Sequence, residues 1–439
     1  MNRTLLSVST ALSVVLMVLV ASSAPCQKIT SMQRSQVLDM LHQISPDIQK
    51  HYYDPKLHGV DWNAAVAQAT KKIDAAASEP QATSEVAAAV MSLNDSHTFF
   101  LPPAYDFHFD YGWQGKMIGD RCFVTRVRPG SDAEKQGVKP GDELLAINGY
   151  VPTRENFWKM QYAFHTLRPQ PILILDLRDP TGQQRELKVE TKMVPQLQIL
   201  DANTYNIWDA IREYETEDHL GRARFAEAEP GDVGILKLPS FEFSKSDVDR
   251  MIDKARRHQA LVLDLRGNPG GYSETLKYVV GAFFDKEVKI GDRIGRAEHK
   301  PMIAKTHYHP FLGKLVVLVD SDSASSAELF AHVVQIEKRG IVLGDRSAGK
   351  VMEAKRYTYH SGTDTRFYFG VQITDADLIM MDGNSLENRG VTPDEIILPT
   401  GADMAGGRDP VLAHAVELLG GKITPEAAGK LFPYEWPKI

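Results

Sequence analysis

Residues 315–334, LVVLVDSDSASSAELFAHVV, are the most informative stretch of the chain. An apolar run over 315–319 is followed by a short polar turn, and a second apolar run begins at Ala327. These features predict a buried strand, a tight turn and a helix. Ser325 lies where the turn meets the helix, a setting that exposes a nucleophile at a sheet edge beside helix N–H groups. Ser325 is therefore a candidate nucleophile.

A candidate base follows at a spacing that allows one helix and one short strand before the chain returns to the same sheet edge. The strand-like run 341–343 precedes it, and the residue is Lys350. A serine needs a base to become nucleophilic, and a lysine removed from solvent can serve because burial lowers its pKa. Ser325 and Lys350 together predict serine-hydrolase chemistry.

Each of these two residues has another interpretation. Ser325 and Glu328 are spaced as a helix capping box, in which Glu328 is a cap partner rather than a catalytic acid. Residues 344–350, GDRSAGK, match the first seven positions of a phosphate-binding loop. The eighth position is Val351, where Ser or Thr would hold magnesium, and residues 352–359 alternate like a strand. These two features argue against nucleotide binding.

A glycine-rich motif, residues 264–271 (DLRGNPGG), continues from an apolar run. Gly270 and Gly271 would let backbone N–H groups approach a ligand closely. Together with the N–H of Ser326, they form a candidate oxyanion hole. From residue 233 onward, strand and helix patterns alternate, which predicts parallel βα units and an α/β fold.

The first half of the chain has a different pattern of predicted secondary structure. Residues 28–93 carry apolar side chains at helical spacing and predict a helical segment. Residues 108–195 change to short β-type runs, and within them PGSDAEKQGVKPGD is typical of a PDZ domain. Such domains add a peptide strand to an exposed edge and hold its C-terminal carboxylate. The candidate peptide-binding loop is Tyr111, Gly112 and Trp113; a β module that only spaces two other parts is the alternative.

Several motifs in one order make the chain resemble the carboxyl-terminal processing (tail-specific) serine peptidases of family S41, over most of residues 30–400. The resemblance implies an α/β fold with a ClpP/crotonase-like catalytic core, an N-terminal helical segment and an inserted β-rich PDZ domain. It also implies Ser325 as nucleophile, Lys350 as general base, and an oxyanion hole from the Gly270–Gly271 pair and Ser326. The motifs are DSHT (95–98), the PDZ string, DLRGNPGG, SSAE (325–328), Gly349-Lys350 and GVTPD (390–394).

The domain organisation expected from these patterns is linear. The segments are a signal peptide or membrane anchor (1–26), the helical segment (28–105), the PDZ domain (108–195), a linker of helical character (196–230), the S41 catalytic core (231–400) and a C-terminal helical tail (401–439).

Departures from the family pattern leave two candidates for the general base. The family usually has a glutamine four residues after the lysine, where this chain has Ala354. The related tricorn-type peptidases use a histidine from a Ser-His pair with a distant glutamate. Ser96-His97 and Glu387 fit those places. Lys350 is the favoured base, and His97 with Glu387 is the alternative.

The expected function is an exported serine endopeptidase that cleaves protein or peptide substrates near C-termini presented through the PDZ domain. It would form an acyl-enzyme at Ser325. The alternative is a non-catalytic binding protein on the same scaffold, like the retinoid-binding proteins of this fold family, with an apolar or peptide ligand.

Composition and the N-terminus restrict partners and location. A net charge of −7 without a long basic run argues against nucleic acid. The histidines lack zinc-site spacing, so no metal or other cofactor is expected. A basic start and an apolar, uncharged run over 5–21 predict export to the periplasm or beyond, with membrane association through the N-terminus as an alternative. Cys26 suggests a lipid anchor, although Pro25 fits that interpretation poorly. No particular oligomeric state is predicted.

Overall fold

The computed structural model of the protein describes residues 28–195, 222–228, 230, 232–361 and 367–436. The predicted signal segment, including Cys26, and most of the predicted linker lie outside these ranges. The helices are α1 Ser31–His51, α2 Trp62–Ala75, α3 Glu79–Met91, α4 Asp132–Lys135, α5 Phe157–Tyr162, α6 Lys245–Ala255, α7 Ser273–Gly281, α8 Ser326–Ile336, α9 Gly401–Ala405, α10 Pro410–Leu418 and α11 Pro425–Ala428.

The strands complete the element order. They are β1 Phe99–Leu101, β2 Phe107–Asp110, β3 Trp113–Ile118, β4 Arg121–Val127, β5 Glu143–Ile147, β6 Ile172–Arg178, β7 Gln184–Glu190, β8 Lys192–Pro195, β9 Arg224–Ala228, β10 Val233–Lys237, β11 Ala260–Asp264, β12 Val288–Gly295, β13 His299–Ala304, β14 Lys314–Val319, β15 Ile341–Gly344, β16 Glu353–Ser361, β17 Phe367–Met380 and β18 Glu395–Ile396.

A six-stranded sheet with the order β18-β15-β14-β11-β10-β9 carries the predicted βα units. Five of its strands run parallel, so their carboxyl ends meet at one edge of the sheet. These strands are β10, β11, β14, β15 and β18. Helices α6, α7 and α8 share an apolar core with one face of this sheet, and α10 shares another core with the opposite face. Burial on both faces explains the almost continuous apolar runs of β11 and β14.

The N-terminal helical segment is joined to a second sheet. Thr30 is the N-cap of helix α1, and its side chain accepts a hydrogen bond from the N–H of Gln33 in a capping box. The apolar stripes of α1, α2 and α3 pack against residues of β17, and β1 pairs antiparallel with the same strand, with Phe99 opposite Gln372. Long-range strand pairing therefore joins this segment to the second half of the chain.

The PDZ domain contains a five-stranded antiparallel sheet in the order β3-β4-β5-β6-β7. Strands β2 and β8 pair where the chain enters and leaves the domain. Strand β3 lies at the edge of the sheet, and this edge contacts the loop after β14. The Lys116 ammonium lies 2.6 Å from Asp320 Oδ2, and Ser321 Oγ donates a hydrogen bond to the carbonyl of Met117.

Two segments differ from the sequence expectation. The predicted linker 196–230 contains strand β9, which pairs antiparallel with β10 and extends the core sheet. Strand β9 lies at the edge of the sheet, where charged and polar residues are common. Its mixed polar sequence therefore gives no clear strand pattern. The predicted helical tail 401–439 contains the short helices α9, α10 and α11, and residues 432–436 that follow them have no regular structure.

The non-helical part of the tail bridges the two halves of the molecule. Residues Leu431 and Phe432 pack on the α10 side of the core, and the Arg224 guanidinium lies 5.3 Å from the Phe432 ring centroid. Further along, Tyr434 and Trp436 lie under two PDZ arginines, as described below. Among the described helices, none is long and apolar enough to cross a membrane.

Candidate active site

Ser325 occupies a strained turn directly before α8. Its backbone has φ 52° and ψ −121°, a conformation that costs free energy for a residue with a side chain. The N–H of Ser325 donates to the carbonyl of Lys350 at 2.8 Å and to Glu328 Oε2 at 3.0 Å. An ordinary N-cap has extended backbone, so the capping interpretation explains the Glu328 contact but not this conformation.

The glycine pair lies against this turn. A Cβ on Gly270 would lie 2.6 Å from Ser325 Cβ, and a Cβ on Gly271 would lie 2.6 Å from the carbonyl carbon of Phe241. Both glycines have positive φ, +99° and +141°. No other residue type fits at either position without movement of the backbone.

The two glycine N–H groups differ. The Gly270 N–H donates to Asn268 Oδ1 at 2.8 Å, so it is already engaged. Within the described part of the chain, the Gly271 N–H donates no hydrogen bond. The Ser326 hydroxyl donates to the Gly271 carbonyl at 3.0 Å and ties the two segments together. Of the predicted oxyanion donors, the N–H groups of Gly271 and Ser326 are still candidates. The Gly270 N–H is already bonded, and the missing side chain of Gly270 leaves room for Ser325.

Lys350 lies in the turn after β15, beside Ser325. Its side chain is half-buried, and this burial lowers the pKa of the ammonium to about 8, although Asp322, Glu328 and Glu387 act in the opposite direction. The Lys350 Nζ lies 5.3 Å from the ring centroid of Trp158 on PDZ helix α5. A PDZ side chain thus forms one wall around the candidate base.

His97 lies at the end of a hydrogen-bonded chain. Its Nδ1 is 2.7 Å from Ser96 Oγ, and that hydroxyl donates to Glu387 Oε2 at 2.9 Å. A serine that donates to the carboxylate can accept from Nδ1–H, which leaves Nε2 as a proton acceptor. Burial lowers the pKa of His97 to about 4, and the nearby Lys350 charge lowers it further in the same direction.

Glu387 connects the two candidate bases. Its Oε1 accepts from the Ser96 N–H at 2.8 Å, and its Oε2 accepts from the Val351 N–H at 3.0 Å. Burial raises the pKa of the Glu387 carboxyl to about 7, and the neighbouring Asp95 raises it too. The structure therefore brings together Ser325, Lys350, the Ser96-His97 pair and Glu387, which are far apart in sequence.

The sequence pattern predicts Glu328 only as the cap partner of Ser325, and the structure adds contacts that local spacing does not reveal. Its carboxylate is fully buried and also contacts the turn that carries Lys350, through Ser347, Gly349 and Lys350. Local spacing identifies the contact with Ser325. It cannot identify a partner about twenty residues away, because that contact depends on how β15 returns the chain to the sheet edge.

The predicted peptide-binding loop is mostly directed inward. The Tyr111 hydroxyl donates to the Phe164 carbonyl at 2.7 Å, and the Gly112 N–H donates to Asp110 Oδ1 at 3.0 Å. Trp113 begins the edge strand β3 and lines a small groove of about 30 Å³ next to α5. Trp113 therefore lies where a peptide strand would add, whereas Gly112 is already engaged.

A cavity of about 910 Å³ separates the PDZ domain from the core. It is lined by β3 and α5 on one side and by the Lys350 turn on the other, with His97 at its wall. The cavity therefore extends from strand β3 to Lys350 and to Ala324, the residue before Ser325. Among the described residues, no cluster of His, Cys, Asp or Glu could hold a metal ion.

Two parts of the chain match known protein families. The profile of peptidase family S41 matches residues 232–397, and the PDZ domain profile matches residues 108–162. The tail-specific protease of Haemophilus influenzae is 24% identical over 365 residues, which is 77% of this chain and 50% of that protein. The chloroplastic carboxyl-terminal-processing peptidase 3 of Arabidopsis thaliana is 26% identical over 69% of this chain and 59% of that protein.

The chain thus spans about half to three fifths of the length of these relatives. Solved structures show the same fold. Mature CPAF matches with a TM-score of 0.64 at 17% identity, covering 85% of this chain and 95% of that one. The photosystem II D1 C-terminal processing protease matches with a TM-score of 0.53 at 19% identity, covering 91% of this chain and 100% of that one. The predicted α/β fold with a PDZ domain is confirmed, and residues 232–397 of the chain match peptidase family S41.

Proposed function

We propose that the protein is a serine endopeptidase that cleaves protein substrates near their C-termini, with Ser325 as the nucleophile. The observation that carries the proposal is the strained Ser325 turn, held between the Lys350 carbonyl and the Gly270–Gly271 pair. Strained backbone at a non-glycine residue is characteristic of functional sites. Acyl transfer requires a nucleophile, a base and an oxyanion donor. The Ser325 hydroxyl, the half-buried Lys350 amine and the Gly271 N–H would provide them.

In the proposed reaction, Ser325 Oγ attacks the scissile carbonyl carbon while a base takes the hydroxyl proton. The carbonyl oxygen becomes an oxyanion and accepts hydrogen bonds from the N–H groups of Gly271 and Ser326. The intermediate then collapses, the C–N bond breaks, and the base gives its proton to the leaving amine. Water attacks the resulting ester by the same route, which releases a new carboxylate and restores Ser325.

Lys350 is the base that we favour. A base works best when its pKa lies near the working pH, and burial brings the pKa of Lys350 to about 8. The backbone contact between Ser325 and Lys350 supports the assignment because it makes the two residues immediate neighbours. Asp322, Glu328 and Glu387 oppose the shift, so the ammonium formed during the reaction is also stabilised.

His97 is the second candidate base, favoured by its chain of hydrogen bonds through Ser96 to Glu387. This chain orients the imidazole as a carboxylate does in other serine hydrolases. With a pKa of about 4, His97 is neutral at pH 7, but it is also a weak base. The two assignments predict different pH profiles, which are given in the Discussion.

The PDZ domain would deliver the substrate through strand β3. This strand lies at the edge of the described PDZ sheet and lines the cavity together with Ala324 and Lys350, so an extended peptide that adds to the edge would run towards the Ser325 turn. In the present arrangement Ser321 donates to the carbonyl of Met117 on this edge. A peptide that pairs with β3 would therefore replace this contact.

A fluorophosphonate probe tests the nucleophile. We expect the native chain and a Ser246→Ala control, altered at an exposed serine near the start of α6, to be labelled and to cleave an unstructured protein. Ser325→Ala should do neither. If the native chain is not labelled but an apolar fluorophore or a peptide binds to it, the binding-protein alternative is supported instead.

We also propose that residues 1–26 direct export. The support is the basic start followed by an uncharged apolar run. Cell fractionation should find the native chain outside the cytoplasm and a variant without residues 2–26 inside it. Cys26→Ala separates the anchoring alternatives, since only a lipid-anchored chain would leave the membrane fraction on this change.

A further inference from the structure

Glu328 accepts four hydrogen bonds with one buried carboxylate. Its Oε2 accepts from the N–H groups of Ser325, at 3.0 Å, and Lys350, at 2.8 Å. Its Oε1 accepts from the N–H of Gly349, at 2.7 Å, and the hydroxyl of Ser347, at 2.6 Å. The carboxylate therefore contacts the turn of the candidate nucleophile and the turn of the candidate base.

We propose that Glu328 is a positioning residue for the acyl-transfer site, which holds the Ser325 turn and the Lys350 turn in register through its carboxylate. This inference rests on the proposed function. Glu328 touches neither substrate nor the reacting atoms in this role. It acts through the backbone of the two residues that do.

The donor set separates this role from helix capping. A cap requires only the contact with the Ser325 N–H. The other three donors come from residues 347–350, which follow β15 and are not part of α8. A buried carboxylate is costly unless its oxygens are well bonded, so the arrangement is expected only where the carboxylate organises both segments.

A glutamine cannot replace this carboxylate. All four partners are donors, and an ionised carboxylate offers acceptors on both oxygens, whereas an amide offers one oxygen and directs N–H groups at the remaining donors. The Ser347 hydroxyl can accept from the amide, but the three backbone N–H groups cannot, so Glu328→Gln should break at least one of the backbone contacts. A displacement of about 1 Å at a reacting group can lower the rate by roughly 10²-fold.

Charge provides a readout that simple loss of packing would not change. The charged or titratable groups that face Lys350 are Asp322, Glu328, Glu387 and the neutral His97. Each of the three carboxylates raises the pKa of Lys350. Removal of the Glu328 charge should therefore move the pH midpoint of kcat/KM to lower pH when Lys350 is the base.

The experiment compares Glu328→Gln with Glu337→Gln, a control at the other end of α8 whose partner is Lys286. For Glu328→Gln we expect kcat about 10²-fold lower with little change in KM, the midpoint shift to lower pH, and faster amide exchange over 347–350. Glu328→Asp keeps the charge on a shorter side chain, so it should give smaller changes of the same kind and provides a variant if the amide does not fold.

Native-like exchange and kcat in Glu328→Gln, with Ser325 still labelled, would overturn the positioning role. Unchanged exchange in both variants would overturn it as well, whatever the activity. Failure of the native chain to react with the fluorophosphonate would instead overturn the proposed function, and faster exchange in Glu328→Gln would still show that the carboxylate holds the two turns together.

Discussion

The backbone N–H of Ser325 donates a hydrogen bond to the carbonyl of Lys350 over 2.8 Å. The candidate nucleophile and the candidate base are thus joined through their main chains, independently of side-chain rotamers. This contact gives the Ser325 turn its position, and it makes the protonation state of Lys350 the natural subject of the first test.

The pH dependence of kcat/KM should identify the base. A base acts when deprotonated, so activity rises as pH passes its pKa. With Lys350 as base the midpoint should lie near pH 8, and with His97 it should lie near pH 4. Stopped assays from pH 4 to 9 on the native chain, Lys350→Met and His97→Asn would check this, and a flat profile between pH 6 and 9 would contradict the lysine assignment.

The oxyanion hole should be sensitive at Gly271. An alanine there would place its Cβ against the Phe241 carbonyl, and the resulting shift would displace the N–H donor. We expect kcat to fall roughly 10²–10³-fold, the range for loss of one such donor. Gly182→Ala is a matched control, because Gly182 also has positive φ but has open space around its Cβ position. Equal losses in both variants would indicate a general effect of backbone strain.

Stability should fall with rising pH through Glu387. Burial raises its pKa from 4.5 to about 7 in the folded protein, so the folded state binds more protons between these values. Protonation of Glu387 therefore adds roughly 3 kcal/mol to the free energy of unfolding at low pH. This contribution is complete below pH 4.5 and is lost as the pH rises through 7. Glu387→Gln cannot titrate, so its free energy of unfolding should decline less than that of the native chain from pH 5 to 7.5 in urea titrations.

The tail should hold the PDZ domain in place. The guanidinium carbons of Arg126 and Arg128 lie 4.1 Å and 4.5 Å from the ring centroids of Tyr434 and Trp436, and Gln114 donates to the Tyr434 hydroxyl at 2.8 Å. Loss of both rings should destabilise the PDZ contact by about 1–2 kcal/mol.

Hydrogen exchange over β3 and β4 measures this effect. It should be faster in the Tyr434→Ala/Trp436→Ala double variant than in Tyr308→Ala, which removes a ring that is 92% exposed. Equal exchange in the two variants would show that the tail does not restrain the domain.

Several features could be predicted from local sequence because they depend on short-range physics. The apolar run before Ser325 forms a strand because burial on both sheet faces favours such a run, and the turn and helix after it follow from residue types alone. The PDZ motif and the N-terminal helices could be predicted from local sequence for the same reason. Strand β9 was not, because its pairing with β10 depends on a neighbour rather than on its own pattern.

Strand and helix periodicity and ordered motifs are local properties of the chain. They were therefore enough to predict the α/β core, the PDZ domain and the set of candidate residues. Which of these residues meet depends on the three-dimensional fold. The fold joins Ser96 to Glu387, directs the Tyr111 hydroxyl to the Phe164 carbonyl and surrounds the Glu328 carboxylate with donors from residues 347–350. Such contacts join residues distant in sequence, and they form only when the sheet brings separate loops to one edge.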